Sequence, residues 1–357
     1  MNDQNTLTAR EDSARPDLLD LRSHTPDELT ALLLSWGEPR FRAGQIFSWL
    51  HKGVSDVSEM TNLPSALREK LRGHMSIGAL TEERRQVSLD GTEKVLWRCE
   101  DGQRVESVLM RYRHGPSVCV SSQAGCRQGC AFCASAKGGL HRGLTAGEML
   151  GQVLQMRPSG AKEASRALRV VLMGVGEPLD NFENVCRFVD LLSHPDGLNL
   201  SGRHISLSTC GLINGIDALA ERGYPLTLSI SLHAPDDETR SRLMPAARAS
   251  SVRALLAACD RYFAKTGRRV SYEYLLIDDV NDSDAQAALL ASLLRGKAAH
   301  VNLIPMNVIP GGSFHPSPPA RVKAFASLLT ESGLQVTVRR RLGGDIDAAC
   351  GQLRSAR

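Results

Sequence analysis

The chain has 357 residues, 42% of them hydrophobic and 23% charged, with a formal net charge of +4. This composition supports a large apolar core and excludes a fibrous or wholly disordered chain. The mild excess of base permits a nucleic-acid partner without demanding one, and no apolar run approaches the ~18 residues of a membrane span.

Residues 1–16 are polar and aperiodic, and a disordered tail is expected there. They contain no apolar stretch that reads as an export or transit signal, so a cytoplasmic location is expected. Residues 17–78 read as a small helical accessory domain. Thr25 with Glu28 makes a helix-start pattern ahead of Leu29, Leu32 and Leu33. A second helix carries Gln45, Ile46, Trp49 and Leu50, and a third runs from Ser65 to about Arg72 behind Pro64. Over 79–116 the period changes. KVLWRC and VESVLMRY alternate as strands do, with Asp90-Gly91 and Asp101-Gly102 as turns, which predicts a β-rich connector.

Residues 117–340 repeat strand, loop and helix about six times. The strand candidates are SVCVSS, RVVLMG, HISLST, LTLSISL, VSYEYLL and HVNLIP. Thr145 with Glu148 starts one helix and Ser283 another. The alternation predicts an α/β fold with a parallel sheet, either barrel-like or doubly wound. The unusual polar motifs all follow strands: cysteines after SVCVSS, GVGEP after RVVLMG, Ser208-Thr209, His233 and Asn307. In barrels that end of the strands is the active-site face, so a partial barrel of six βα units is expected, with its site there. A last strand, QVTVRR, leads to a polar segment, 341–357, containing DIDAACGQL.

Of the nine cysteines, three form Cys126-x3-Cys130-x2-Cys133 in a Gly-rich loop. Zinc sites usually take paired C-x2-C units from two segments. Three clustered thiolates with no nearby His suit a [4Fe–4S] cluster with one iron left open. In GVGEP, Gly174 and Gly176 permit close backbone approach, and Glu177 can accept from an amino group. Cys350 stands in a polar, Gly-flanked context unlike that of a core cysteine, and Cys119 lies on the strand leading into the cysteine loop. Arginines cluster at Arg84-Arg85, Arg98, Arg104, Arg111, Arg113 and Arg339-Arg340-Arg341, as either a solvated basic surface or phosphate contacts.

The cysteine spacing, with Phe132 before its last member, resembles the signature of the radical S-adenosylmethionine (SAM) superfamily over roughly residues 115–310. Cys119, SSQAGCRQGCAFCAS, MGVGEPLDN, STCG, SISLHAP, NLIPMN and DIDAACGQL together resemble the RlmN/Cfr family of RNA adenine methyltransferases. FRAGQIFSWLHKG and MTNLP are similar to RlmN, which extends the resemblance to about residues 20–353.

The resemblance implies the following chemistry. Cys126, Cys130 and Cys133 hold the cluster. Gly176, Glu177, Ser208, Ser231, Leu232, His233 and Asn307 contact SAM. Cys350 is methylated by one SAM, and a radical from a second takes hydrogen from that methyl group. The resulting methylene radical adds to adenine, an electron-poor carbon that polar methyl transfer cannot attack. Glu106 accepts the ring proton, and Cys119 attacks the Cys350 sulfur, leaving a transient disulfide and methyladenine. The implied substrates are 23S rRNA at the peptidyl-transferase centre and the adenine 3′ of the anticodon in some tRNAs. Target adenines must be unstacked to reach such a site. A flavodoxin or ferredoxin is the implied electron donor, and a monomer is expected. RlmN methylates C2 and Cfr methylates C8, and the RlmN-like N-terminal segment favours C2. One departure stands out: many members have Arg-Gly where this chain has Leu342-Gly343. Cys99, Cys186, Cys210 and Cys259 match no catalytic position of the family.

Overall fold

The computed structural model describes residues 19–158, 167–308 and 312–353. The tail expected to be disordered, 1–16, lies outside these. The N-terminal helices are α1 (Pro26–Ser35), α2 (Phe41–Lys52) and α3 (Ser65–His74). They are flanked by the short parallel pair β1 (Leu19–Asp20) and β2 (Met75–Ser76). The Thr25–Glu28 capping box is present in full, and Gly53 ends α2 in the left-handed conformation.

A sheet of ten strands follows. β3 (Thr81–Val87), β4 (Glu93–Arg98) and β5 (Arg104–Tyr112) are antiparallel and extend into β6 (Gly115–Cys119). The small hairpin β7 (Gln123–Gly125) and β8 (Leu140–Gly143) stands apart from that sheet. After α4 (Ala146–Met156), β9 (Arg169–Leu172) pairs parallel with β6. The chain then runs α5 (Phe182–Ser193), β10 (Ile205–Thr209), α6 (Ile213–Arg222) and β11 (Thr227–Ser231). It continues through α7 (Asp237–Leu243), α8 (Val252–Thr266), β12 (Val270–Leu276), α9 (Asp284–Leu294) and β13 (Ala299–Pro305), and closes with α10 (Pro319–Glu331) and β14 (Gln335–Val338).

Across the sheet the order is β14-β13-β12-β11-β10-β9-β6-β5-β4-β3. Because parallel neighbours follow chain order without reversal, the sheet is singly wound. That decides for a partial barrel over the doubly wound alternative. Two features differ from expectation. QVTVRR contributes a seventh parallel strand, paired with β13, beyond the six foreseen. The strands of 79–116 are no separate layer: β5 pairs with β6 from Tyr112↔Gly115 to Val108↔Cys119, so they are the antiparallel wing of the barrel sheet. The core is also continuous. Leu29, Phe47, Leu50 and Leu71 of the helical unit join one buried apolar cluster with Leu150, Val153, Leu192 and the sheet.

Candidate active site

The parallel strands end on one side, and the residues following them line a single cavity of about 960 Å³. Cys126, Cys130, Cys133, Gly176, Glu177, Ser208, Ser231, His233 and Asn307 all face it. The cysteine loop is held from several directions. Cys126 N–H donates to the Gly139 carbonyl (2.8 Å) and Ala131 N–H to the Leu243 carbonyl (2.9 Å). Arg127 pairs bidentately with Asp180, which also accepts from Gln123. Gln123 in turn accepts from the Glu177 N–H at 2.8 Å, so the cysteine loop and GVGEP are stitched together.

Burial pushes the three thiols up, Cys126 to about 11. They are thiols until a cation draws off their protons. Among the described residues no three Cys, His, Asp or Glu side chains converge on a single-ion site. Three thiols spread around one cavity suit a four-iron cluster, in which each binds a different iron. Gly176 has φ +112, and a Cβ there would lie 2.7 Å from the Gln123 Cβ and 2.8 Å from its backbone N. The loop can therefore pack this closely on β7 only because residue 176 is glycine. Burial raises the Glu177 carboxyl, against amide donors from Cys210 (2.7 Å) and Leu179 (3.0 Å). A bound ammonium would supply the charge that this carboxylate lacks. The residues present fit a cluster and SAM.

His233 holds a left-handed backbone conformation, φ 56. Its Nδ1 accepts the Leu275 N–H at 3.0 Å, and its ring stands edge-on to Phe132 with centroids 4.8 Å apart. Burial, then Arg240, pushes its pKa down to about 3. The ring is neutral, and its proton sits on Nε2. Ser208 and Ser231 hydroxyls lie 3.4 Å apart. Leu232 lies between Ser231 and His233. It is fully buried in the apolar core, and its N–H and C=O bond to Glu273 and Arg240. Alternation at the end of β11 turns Ser231 and His233 to the cavity and Leu232 away from it.

A second cavity, about 510 Å³, adjoins the first. Cys119 lines it with Val108, Met110 and Tyr112, and Cys350 lines both cavities. The Cys350 segment is tied to the cluster loop: Ala134 N–H donates to Gly351 O (2.8 Å) and Ser135 Oγ to Leu353 O (2.6 Å). Asn307 Nδ2 reaches the Cys350 carbonyl at 3.5 Å. Burial, reinforced by Cys350, pushes Cys119 up to about 12. Glu106 lies on β5 on the same face as Val108 and Met110 and is buried in an ion pair with Lys94 (3.2 Å).

Sequence reasoning missed two residues. Glu273 of β12 lines the first cavity, buried, and accepts from Asn302 Nδ2 at 2.6 Å. The signal was the lone charge inside the apolar run VSYEYLL. Arg339 lines both cavities, facing Cys350 and then Tyr112, Glu273 and Cys119, which hold its guanidinium well above its usual range. In sequence it was one of three consecutive arginines. The other clusters are mostly engaged: Arg85 and Arg111 pair with Glu93, and Arg98 and Arg104 pair with Glu83.

Residues 120–291 match the radical SAM superfamily. With the partial barrel and the three-thiol cavity, this defines a radical SAM enzyme, whose cofactors are a [4Fe–4S] cluster and SAM. A radical SAM methyltransferase from Sphaerobacter thermophilus has a crystal structure 46% identical to this chain, with a TM-score of 0.90 over 94% of this chain and 99% of that one. Residues 17–77 match the ribosomal RNA large subunit methyltransferase N-terminal domain. A probable dual-specificity RNA methyltransferase RlmN from Lachnoclostridium phytofermentans is 48% identical over 95% of both chains. Its counterpart from Symbiobacterium thermophilum is 51% identical over 92% of this chain and 89% of that one. The chain belongs to the RlmN family. Among the described residues no helix is long and apolar enough to cross a membrane.

Proposed function

We propose that this enzyme methylates adenine C2 in RNA, with Cys350 as the methyl carrier. The observation that carries this reading is that Cys350 lines both the cluster-side cavity and the cavity shared with Cys119. A residue that must be charged with a methyl group on one side and deliver it on the other needs that placement. The substrates are 23S rRNA and the adenine 3′ of the anticodon in some tRNAs. The large-subunit N-terminal domain and the dual-specificity name of the relatives support them.

Cys126, Cys130 and Cys133 would hold the cluster, with Gly176, Glu177, Ser208, Ser231, His233 and Asn307 around SAM. When bound, the cluster and two SAM molecules per turnover supply one methyl group and one carbon-centred radical. The protein's own work is to present the carrier, take a proton and break the link. Cys350 sulfur carries the methyl group and becomes joined through that carbon to adenine. Glu106 accepts the ring proton, and the adduct's unpaired electron would be taken up by the cluster when bound, leaving a closed-shell thioether link. Cys119 attacks Cys350 sulfur: the S–S bond forms, the S–C bond breaks with its electrons left on carbon, and that carbon is protonated to the methyl group. External reduction then resets the thiols. The enzyme works as a cytoplasmic monomer, with a flavodoxin or ferredoxin as electron donor.

The test is anaerobic reconstitution with labelled SAM and unmodified 23S rRNA, followed by nucleoside analysis. Label in 2-methyladenosine is expected. Deoxyadenosine release without methyladenosine would overturn the substrate, and 8-methyladenosine would overturn the position. Cys350→Ala is expected to abolish methyl uptake by the protein, and retained uptake would refute the carrier role.

A further inference from the structure

The turn between β3 and β4 grips the segment that leads to Cys350. Asp90 Oδ2 accepts from Gly343 N–H (2.9 Å), and Asp345 accepts from Ser88 Oγ (2.5 Å) and from Leu89 N–H (3.2 Å). Lys94, just beyond that turn on β4, adds a fourth point of contact. Its Nζ donates to the Asp347 carbonyl at 3.2 Å and lies 3.2 Å from Glu106 Oε1. Asp347, three residues before Cys350, holds a left-handed backbone conformation, φ 51.

The pairing between the strands explains how one ammonium reaches both groups. Lys94 lies opposite Val108, so Glu106 is its diagonal neighbour on one face of the sheet. Val108 and Met110, on the same face, line the cavity shared by Cys119 and Cys350. The Lys94 and Glu106 side chains are only 8% and 11% exposed.

We propose that Lys94 is a positioning residue: it holds the Glu106 carboxylate in register with the Cys350-bearing segment, so that proton acceptor and methyl carrier meet the adenine together. This rests on the reading of Glu106 as the acceptor. Stability alone does not account for the pair. Burying two charges costs desolvation, and apolar side chains of similar size would serve the fold as well or better. Fastening the segment does not require it either, because Ser88, Leu89 and Asp90 already do so. What Lys94 adds is a charged tie between a carboxylate on a rigid strand and a backbone atom of the carrier segment. In the step it serves, the proton leaves the adenine ring carbon and the carboxylate becomes a neutral acid. A displacement of about 1 Å at such a contact can cost about 100-fold in rate.

The test compares Lys94→Met, Lys94→Arg, Glu106→Gln and the double variant Lys94→Met/Glu106→Gln in the reconstituted full chain with an RNA substrate. The readouts are the lifetime of the RNA–protein adduct on denaturing gels and, without cofactors, amide exchange over residues 343–350. Lys94→Met is expected to lengthen adduct lifetime by about 10–100-fold and to speed exchange in 343–350. Lys94→Arg is expected to restore most of the lifetime, and the double variant to be no slower than Glu106→Gln. An adduct lifetime in Lys94→Met equal to the parent's overturns the proposal. So does a double variant slowed by the product of the two single effects. If Lys94→Met alone fails to fold, the charge-neutral double variant decides: an adduct lifetime equal to that of Glu106→Gln supports the proposal, and a longer one overturns it. Parent-like turnover by Glu106→Gln would instead sink the acceptor reading itself, a separate outcome.

Discussion

At the residue scale, the site is made of groups whose charge is set by burial. His233 is the clearest. Its unfolded pKa is near 6.5, and in the fold it is pushed down to about 3, so the unfolded chain binds the extra proton first. The stability contributed by the neutral ring is fully present above about pH 6.5 and is lost as pH falls toward 3. The slope is up to about 1.4 kcal/mol per pH unit. Burial lowers His51 as well and contributes in the same direction. His233→Asn, which suits the left-handed backbone, should therefore show a shallower decline of the urea midpoint between pH 6.5 and 5 than the parent. Equal slopes would mean that His233 is not held neutral. The identity of these residues was legible because each polar group follows a strand, and parallel strands deliver their ends to one place. Leu232 differs in placement from Ser231 and His233 because successive residues of an extended segment face opposite sides. Glu273 and Arg339 were missed. Their roles come from meeting in space across β12 and β14, which no local spacing records.

At the scale of elements, local chemistry was easiest to read. The caps at Thr25, Thr145 and Ser283 are formed by the residues that the pattern named, and at Ser283 Gln286 completes a capping box. Each depends only on neighbours three residues away. Thr145 also donates to Asp20 of β1, a contact 125 residues away that no window could foresee. Thr145→Ala should cost about 1–2 kcal/mol, the cap plus the hydrogen bond to Asp20, read from chemical denaturation. The GVGEP loop makes a sharper case. A Cβ at residue 176 would press on the Gln123 backbone, in a φ region that side chains avoid. Gly176→Ala should leave the fold intact but weaken SAM binding to the reconstituted protein by more than about tenfold, because the loop must shift into the cavity to relieve the contact. Unchanged affinity in equilibrium binding would show that the loop does not approach the cofactor.

At the scale of the whole molecule, the sequence suggested a helical domain, a connector and a barrel; in the structure the connector and barrel strands share one ten-stranded sheet, and the helical unit packs into the same large apolar cluster. The difference has a physical origin: strand-to-strand pairing is non-local, so Val108↔Cys119 could not be seen in the alternation of either strand. The helical unit docks with similar intimacy. Gly147 and Gly151 stand one turn apart on α4, and Asp20 and Arg22 lie directly against them. A Cβ at Gly147 would sit 2.2 Å from Asp20 Oδ2, and one at Gly151 2.8 Å from an Arg22 guanidinium nitrogen. Arg22, almost fully buried, donates to the carbonyls of Val54 (2.7 Å) and Gly78 (3.3 Å), tying the start of the N-terminal unit to the turn after α2 and to the segment that leads into β3. Asp20 accepts from the Thr145 hydroxyl across the seam, so neither part can release the other without losing that hydrogen bond. The chain's three tryptophans report on this: Trp36 and Trp49 sit in or beside the N-terminal helices, and Trp97 on β4. In each variant retaining only Trp49 or only Trp97, the fluorescence and the far-UV circular dichroism should report one common urea midpoint. Gly147→Val should lower both midpoints together, by about 1–3 kcal/mol in stability. If Trp49 shifts and Trp97 stays, the helical unit is a separate folding unit hung on the barrel. If they move together, the seam at α4 makes the RlmN-type N-terminal unit part of one cooperative body, held in fixed relation to the cavity that contains Cys350.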